Sequence, residues 1–175
     1  INMPYSDHAK QNLISEGIHP AQIVKTGSPQ KEILDYYQES INKSKILSKL
    51  KLTKRKYFLA SMHREENVDS PEKLKKIVTA FNAITDHFKH KIILSVHPRT
   101  KMRIEEQNIK FGKNIVDIKA MGFFDYVHLQ KNAYCVISDS GTIFEESSIL
   151  GFPAITIRDA HERLEAMEEG LSLIH

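Results

Sequence analysis

Short apolar runs alternate along this chain with longer amphipathic stretches. Four of these runs, at residues 56–62, 91–96, 133–137 and 153–157, end in a cluster of polar side chains. Runs of this length and composition predict strands buried on both faces of a parallel sheet. The carboxyl ends of parallel strands lie at one edge of the sheet, which is where open α/β sheets bind ligands. The pattern therefore predicts that the four polar clusters meet at one edge and form half of a site for a charged ligand.

The stretches between the runs have the spacing of amphipathic helices. The clearest is a helix over 71–88, whose apolar face consists of Leu74, Ile77, Val78, Phe81 and Ile84. Further helices are predicted at 7–17, 29–41, 101–111, 124–131 and 142–150, with short strands at 22–25 and 115–118. The alternating order of strands and helices predicts an α/β fold with a Rossmann-like parallel sheet.

The length of 175 residues fits one domain, which we place over residues 1–175. The sequence has no apolar run long enough to span a membrane and no signal peptide. Its one cysteine, Cys135, lies inside an apolar run, so we expect a buried thiol and a cytoplasmic protein. The chain begins at Ile1 in mid-pattern, and residues 171–175 are typical of a strand that has just begun. We therefore expect a fragment of a longer protein.

The net charge of +3 comes largely from one segment. Seven basic residues and no acid lie between Lys43 and Lys56. Such a segment is typical either of a surface for nucleic acid or membrane or of a solvated connector between two elements. No aromatic residue lies between the lysines to stack on bases. We favour the connector, and we expect neither nucleic acid nor membrane as a partner.

The strongest local signal is Ser138-Asp139-Ser140-Gly141-Thr142, which joins a strand to a helix through small residues. Such a turn presents backbone N–H groups and the positive end of the helix dipole to an anion, and Gly141 leaves room for a phosphate. The alternative is an ordinary turn in which Ser138, Asp139 or Ser140 caps the helix. Both interpretations stay open from this motif alone.

Two acidic residues follow on the same helix. Glu146 lies four residues after Thr142 and so shares its face. A carboxylate there can accept hydrogen bonds from both hydroxyls of a ribose. Neighbouring helical residues point about 100° apart, so Glu145 and Glu146 cannot both face the site. One of the two is expected on the solvated surface of the helix.

The remaining candidates are a histidine and three arginines. His63 follows the 56–62 run beside Arg64 and can act as an acid, a base or a donor to phosphate. One of Arg158 and Arg163 can clamp a diphosphate, or they can form weak surface ion pairs with nearby acids.

Known cofactor and metal motifs are absent from the sequence. It contains neither GxGxxG nor GxxxxGK[ST], which argues against a dinucleotide oxidoreductase and a P-loop enzyme. His63, His97 and His161 lack the paired spacing of a zinc motif. We expect no metal.

These motifs together resemble the non-hydrolysing UDP-N-acetylglucosamine 2-epimerase family. The resemblance is carried in order by Thr26-Gly27-Ser28-Pro29, His63-Arg64-Glu65-Glu66-Asn67, Ser138-Asp139-Ser140-Gly141-Thr142 with Glu145-Glu146, and His161-Glu162-Arg163. It covers nearly the whole chain but only the C-terminal half of a family member. It implies the C-terminal domain of a GT-B-like two-domain fold, with the sugar nucleotide between two Rossmann-like domains.

The resemblance also implies roles for individual residues. Ser140 and Gly141 are expected at the diphosphate and Glu146 at the ribose. Tyr126 is expected against uracil. His63, as the catalytic residue, and Arg163 are expected at the phosphates and the reacting sugar. Arg64, Thr142 and Arg158 are further expected to bind the substrate.

The implied reaction is inversion at C2 by elimination of UDP to a glycal and re-addition, with no redox cofactor and no obligatory metal. Three departures bear on this assignment. Leu164 replaces a proline, Phe144 replaces a polar residue, and the acid–base carboxylates belong to an N-terminal half that lies outside this sequence. We therefore expect an isomerase at the level of the family, a chain that is inactive alone, and a homo-oligomer when intact.

His97-Pro98-Arg99-Thr100, residues 146–150 and residues 158–163 look most like the capsule and O-antigen branch, which forms UDP-N-acetyl-L-fucosamine. Two other assignments remain open from the sequence. One is the C-terminal domain of a UDP-dependent GT-B glycosyltransferase, whose ribose-binding glutamate occupies a similar place. The other is a non-catalytic UDP-binding remnant of a split gene.

Overall fold

The computed structural model describes residues 1–157 and 173–174. The chain divides into two compact units, Ile1–Gln38 and Glu39–His175. Among the described residues, no helix is long and apolar enough to cross a membrane.

The first unit contains two helices. Helix α1 (Asp7–Ser15) begins where the Ser6 hydroxyl accepts a hydrogen bond from the amide of Ala9, and it ends before Gly17, whose φ of +89° favours glycine. The strand predicted at 22–25 is wrong. Residues Pro20–Gln22 form a 3₁₀ turn, and pairing is limited to an isolated parallel bridge between Asn2 and Ile23.

The helix predicted over 29–41 is divided into two. Helix α2 (Gln30–Tyr36) begins after Ser28, whose hydroxyl accepts from the amide of Gln30. Tyr37 then adopts φ −94° and ψ 8°, which ends the regular helical hydrogen bonding, and α3 (Gln38–Asn42) follows. The apolar spacing continues through this break, which explains why the sequence pattern does not reveal it.

The second unit is built on a parallel sheet, as the sequence predicts, and the described residues supply six strands. The strands are β1 (Tyr57–Met62), β2 (Lys91–Val96), β3 (Ile115–Lys119), β4 (Cys135–Ser138), β5 (Ala154–Thr156) and β6 (Leu173–Ile174). Their order in the sheet is β3-β2-β1-β4-β5-β6, and every pair is parallel. This is the Rossmann order, in which the connection reverses direction between β1 and β4 and opens a crevice above these two strands.

In the described part of the second unit, six helices follow α3. They are α4 (Ile46–Lys49), α5 (Glu65–Val68), α6 (Pro71–Phe88), α7 (Pro98–Glu106), α8 (Phe123–Asn132) and α9 (Ile143–Leu150). Helix α6 has the predicted bounds, and the Ser70 hydroxyl accepts from the amide of Lys73. Helix α7 starts and ends earlier than predicted, because Pro98 suits a first helical turn and Asn108 adopts a left-handed φ of 52° beyond its end.

Two apolar clusters cover the two faces of the sheet, as the alternation of side chains along strands requires. The first apolar cluster contains Ile46, Tyr57, Leu59, Ile93, Leu129, Ala133, Val136, Ile143, Phe144, Phe152 and Ala154. The second contains Phe58, Ala60, Phe81, Ile92, Leu94, Val96, Ile115, Cys135 and Ile137. Each large side chain that is fully buried here contributes about 1.5–3 kcal/mol. The buried thiol predicted at Cys135 is confirmed, and burial raises its pKa to about 11.

The basic segment between α3 and β1 packs against this core. Ile46 belongs to the first apolar cluster, and Leu47, Leu50 and Leu52 pack against it. The Arg55 guanidinium donates to the carbonyl oxygen of Ala133 at 3.1 Å. These contacts favour the interpretation of the segment as a connector.

Candidate active site

The polar clusters that follow β1 and β4 lie side by side, because these two strands are neighbours in the sheet. The backbone amide of Asp139 donates to the carbonyl oxygen of Ser61 at 3.4 Å, which continues the pairing of the two strands to their carboxyl ends. The 63–67 cluster and the 138–142 cluster therefore meet at the point where the Rossmann order reverses. This is the place in such a sheet where ligands bind.

The carboxylate of Asp139 holds the two clusters together. It is fully buried, and it accepts from the backbone amide of His63 at 3.0 Å, from that of Arg64 at 2.9 Å and from Asn67 Nδ2 at 3.2 Å. Asn67 Nδ2 also donates to the carbonyl oxygen of Ile157, just after β5, at 2.9 Å. The segment after β1 is thus fixed to the ends of β4 and β5.

The imidazole of His63 pairs with the same carboxylate. Its Nδ1 lies 3.0 Å from Asp139 Oδ1, while 54% of the His63 side chain remains exposed. The hydrogen bond to Asp139 raises the pKa of His63 above its ordinary value, against the opposing effect of burial. Burial raises the pKa of Asp139, but the hydrogen bonds from His63 and the Arg64 amide outweigh it, so this pKa lies below the ordinary value. Both shifts favour an ion pair.

Arg64 borders an open pocket. Its Nε donates to the carbonyl oxygen of Asp139 at 3.0 Å, which fixes the side chain beside the turn after β4. The pocket measures about 380 Å³ and is lined by His63, Arg64, Glu65 and Glu66. The Arg64 guanidinium and the His63 imidazole therefore line the same pocket, together with the two glutamates.

The turn from β4 to α9 is held by a chain of hydroxyl groups. Ser138 Oγ accepts from the amide of Ser140 at 3.0 Å, and Ser140 Oγ lies 2.9 Å from Thr142 Oγ1. The N-cap of α9 is Thr142, and the helix starts at Ile143. Capping by Ser138, Asp139 or Ser140 is therefore wrong: the two serines brace the turn, and Asp139 points back to His63. Gly141 lies half-buried within this turn.

The Glu146 carboxylate lies one helical turn beyond Thr142. Its Oε1 accepts from Thr142 Oγ1 at 2.9 Å, and its Oε2 accepts from Gln130 Nε2 of α8. Burial raises the pKa of Glu146, and the hydrogen bonds from Gln130 and Thr142 oppose this rise. A half-buried carboxylate beside this turn can accept hydrogen bonds from the hydroxyl groups of a ligand.

Tyr126 lies in the first turns of α8, next to the apolar core. Its ring packs against the first apolar cluster, and its hydroxyl bonds to the side chain of Ser61. Burial raises the pKa of Tyr126 to about 12. The hydroxyl therefore stays protonated, and it fixes the direction of the ring.

A family model described as UDP-N-acetylglucosamine 2-epimerase matches residues 1–175. The chain belongs to this family. A UDP-N-acetylglucosamine 2-epimerase of Methanocaldococcus jannaschii is 36% identical, and the match covers 95% of this chain and 47% of that protein. The chain thus spans about half the length of the relatives that it matches.

Solved structures of similar proteins have the same fold. The epimerase of Rickettsia bellii is 42% identical, with a TM-score of 0.85, and the match covers all of this chain and 46% of that one. The M. jannaschii epimerase in complex with UDP-GlcNAc and UDP is 35% identical, with a TM-score of 0.90, and 99% and 49% of the two chains are covered. The expected fold, a Rossmann-like parallel sheet of the GT-B-like type, is confirmed.

A row of hydroxyl side chains underlies the candidate site. Ser95, Ser61, Ser138 and Thr156 occupy matched register positions on β2, β1, β4 and β5. The hydroxyls of Ser61 and Ser138 lie 2.7 Å apart. Thr156 Oγ1 is buried and has no hydrogen-bond partner among the residues that the structure describes. The row lies between the apolar core and the polar clusters.

The structure brings most of the predicted site residues together. His63, Arg64, Tyr126, Ser140, Gly141, Thr142 and Glu146 all lie along β1, β4, α8 and α9 at this end of the sheet. Arg158 and Arg163 lie outside the described residues, as does His161. Within the described ranges, no group of three or more His, Cys, Asp or Glu side chains is placed to hold a metal ion.

The sequence did not predict the roles of four residues of the candidate site: Ser61, Asn67, Gln130 and Asp139. The motif offers Asp139 as part of an anion-binding turn or as a helix cap, and neither interpretation predicts its contact with His63. An acid directly after a fully buried strand is the available signal, because a buried carboxylate needs partners inside the fold. Gln130 gives no such signal, because its role depends on how α8 packs beside α9.

Proposed function

We propose that this chain is the nucleotide-binding half of a UDP-sugar 2-epimerase. The observation that supports the proposal most is the joined pair of clusters above β1 and β4, in which His63 and Arg64 face the turn that leads to Glu146. Cationic donors, a small-residue turn at a helix start and a half-buried carboxylate suit a diphosphate followed by a ribose. Membership of the UDP-N-acetylglucosamine 2-epimerase family supports C2 epimerisation as the reaction.

The turn after β4 and helix α9 hold the nucleotide. Backbone amides at Ser140 and Gly141 bind the diphosphate, with Thr142 beside them. The Glu146 carboxylate accepts from the ribose hydroxyls. The ring of Tyr126, whose hydroxyl is bonded to Ser61, lies against uracil.

The cationic residues hold the leaving phosphate. His63 Nε2 and Arg64 face the phosphates, and Arg158 and Arg163 complete this clamp. The reaction that we assign removes the C2 proton and breaks the bond from C1 to the β-phosphate oxygen. The electron pair of the broken bond leaves on UDP, and a C1=C2 double bond forms. Re-addition of UDP, with a proton delivered to the other face of C2, gives the epimer.

The chain needs a second half for turnover. General acid–base catalysis requires groups within hydrogen-bond distance of both faces of the sugar. The relatives are about twice as long as this chain, so an N-terminal half is the partner that we propose. An intact enzyme would combine both halves around the nucleotide and form a homo-oligomer.

Calorimetric titration of the purified chain with UDP, with AMP as the control, tests the nucleotide site. We expect selective binding of UDP with a Kd on the order of 1 mM or tighter. Binding of AMP with equal affinity would contradict a uracil site. A folded chain that binds neither nucleotide would contradict the proposal and favour a non-catalytic remnant.

Supplying the N-terminal half of a relative tests the reaction. Proton NMR of UDP-GlcNAc with the combined halves should show inversion at C2 and exchange of the C2 proton with solvent. His63→Ala should lower turnover more than UDP affinity. Sugar transfer to an added acceptor without C2 inversion would instead favour a glycosyltransferase.

The finer proposal is the capsule and O-antigen branch. It is supported by residues 97–100, 146–150 and 158–163, whose order resembles that of the enzymes that form UDP-N-acetyl-L-fucosamine. The combined halves should then epimerise UDP-N-acetyl-L-fucosamine with a higher kcat/KM than UDP-GlcNAc. The reverse preference would place the protein outside this branch.

A further inference from the structure

Asp139 has more polar contacts than a turn residue requires. Its side chain is fully buried, yet it accepts from the amides of His63 and Arg64, from Asn67 and from the imidazole of His63. A buried carboxylate is stable only when its oxygens are satisfied in this way. Every one of these donors comes from the segment after β1, 72 to 76 residues away in sequence.

The contact with the ring has a definite polarity. An ionised carboxylate accepts hydrogen bonds and cannot donate them. The 3.0 Å contact between Asp139 Oδ1 and His63 Nδ1 therefore places a proton on Nδ1. The other ring nitrogen, Nε2, is then the one available to a ligand, and more than half of the side chain is exposed beside the pocket.

We propose that Asp139 is the positioning residue of His63: it fixes the backbone before the ring and the proton on Nδ1, so that Nε2 is presented to the phosphate of a nucleoside diphosphate. This inference rests on the proposed function for the identity of the ligand. The orientation of the ring follows from the contacts of Asp139 and does not depend on that ligand.

The arrangement makes binding depend on pH. Asp139 and Arg64 are the charged groups that act on His63, and Glu65 and Glu66 line the same pocket. When His63 is protonated, Nε2–H donates to phosphate in a charge-assisted bond. Its folded-state pKa is raised, so the protonated form persists above the ordinary His range. Affinity for a diphosphate should fall as the pH rises through that raised pKa.

Nitrogen-15 NMR of the histidine-labelled chain tests the orientation directly. In the wild-type chain we expect the neutral His63 ring to carry its proton on Nδ1 and to titrate above the ordinary range. Asp139→Asn keeps the shape but can turn its amide toward the ring. The amide then donates to Nδ1 and moves the proton to Nε2, as the same change does in a Ser-His-Asp triad.

A matched control is Asp117→Asn, the same chemical change at an exposed acid that pairs with Lys101 at 3.1 Å. It should leave the His63 nitrogen shifts unchanged. A wild-type ring with its proton on Nε2, or with an ordinary titration midpoint, would overturn the proposal without any variant. Unchanged His63 shifts in a folded Asp139→Asn chain would overturn it as well.

The pH profile of binding separates positioning from a merely structural role. We expect Asp139→Asn to weaken UDP about tenfold at a pH between the two His63 midpoints, and to leave uridine affinity unchanged. Titration of the UDP phosphate is common to both proteins and cancels in their ratio. Equal loss for UDP and uridine at every pH would indicate a structural role and refute the proposal.

The two hypotheses fail separately. A wild-type chain that binds no UDP defeats the proposed function, whereas the nitrogen shifts still decide whether Asp139 orients His63.

Discussion

Replacing Glu146 by alanine tests the ribose contact through its hydroxyl groups. The two oxygens of a carboxylate offer about four lone-pair sites. Thr142 and Gln130 each use one of them, so two remain for the two ribose hydroxyls. A hydrogen bond to a charged group is worth about 1.5–3 kcal/mol. The site is open, so water partly replaces the two lost hydrogen bonds, and we take about 1.5–3 kcal/mol as the loss for both bonds together. This corresponds to about a 10- to 150-fold rise in the Kd for UDP.

The assay is calorimetry with UDP and with 2′,3′-dideoxy-UDP on the wild-type and Glu146→Ala chains. The variant should lose affinity for UDP but not for the dideoxy compound, which lacks the bonded groups. Glu145→Ala is the matched control, since it removes the same charge from the preceding residue of α9. Any general effect of that charge on the diphosphate appears in both variants and can be subtracted.

Two results would refute the ribose role. The first is equal affinity of the wild-type chain for UDP and its dideoxy analogue. The second is the same loss in Glu146→Ala for both ligands, which would show that the substitution damages the turn. In either case the carboxylate would be a structural partner of Gln130 and Thr142.

Three further outcomes concern the stability of the ligand-free chain. Asn67→Ala should lower the free energy of unfolding by about 2–4 kcal/mol in urea, because it removes bonds to Asp139 and to the carbonyl of Ile157; a loss below about 0.5 kcal/mol, typical of a surface substitution, would contradict the clamp. Glu146→Gln should raise the Tm at neutral pH, since burial raises the pKa of this acid and so disfavours its charge, and a neutral amide can also bond to Gln130; a lower Tm would contradict this. Folding lowers the pKa of Asp139, so its contribution to the free energy of unfolding is present above its unfolded pKa of about 3.8 and is lost as the pH falls through the folded value. Asp139→Asn should therefore reduce the loss of stability on acidification. An unchanged dependence of stability on acidic pH would contradict this.

The sheet was predictable from the sequence because its strands carry their own signal. The run at 91–96 and the helix at 71–88 have the bounds that the pattern predicts, since apolar spacing and a Ser-Pro cap decide both locally. The strand at 22–25 failed because strand formation needs a partner along its length, and Ile23 bridges to Asn2 alone among the residues of the first unit. Pairing is a property of two segments, and one segment does not reveal it.

The site was predictable in its clusters but not in its connections. The positions of His63 and Glu146 followed from strand ends and helix spacing. The role of the Asp139 carboxylate was not predictable. The local pattern offers it as one possible helix cap, whereas the pairing of β1 with β4 joins it to His63. Gln130 reaches Glu146 only through the packing of two helices, which no spacing within either helix encodes.

The adjacency of β1 and β4 also governs when the site can form during synthesis. The bonds between His63 and Asp139 span 76 residues, and β4 is the last of the two central strands to leave the ribosome. Until then β1 has an open edge on one side, and long-range pairing of this kind is intrinsically slow. A nascent chain that ends before residue 135 therefore carries both an unfinished sheet and an unfinished site. Its exposed central edge makes it a target for chaperones or for aggregation.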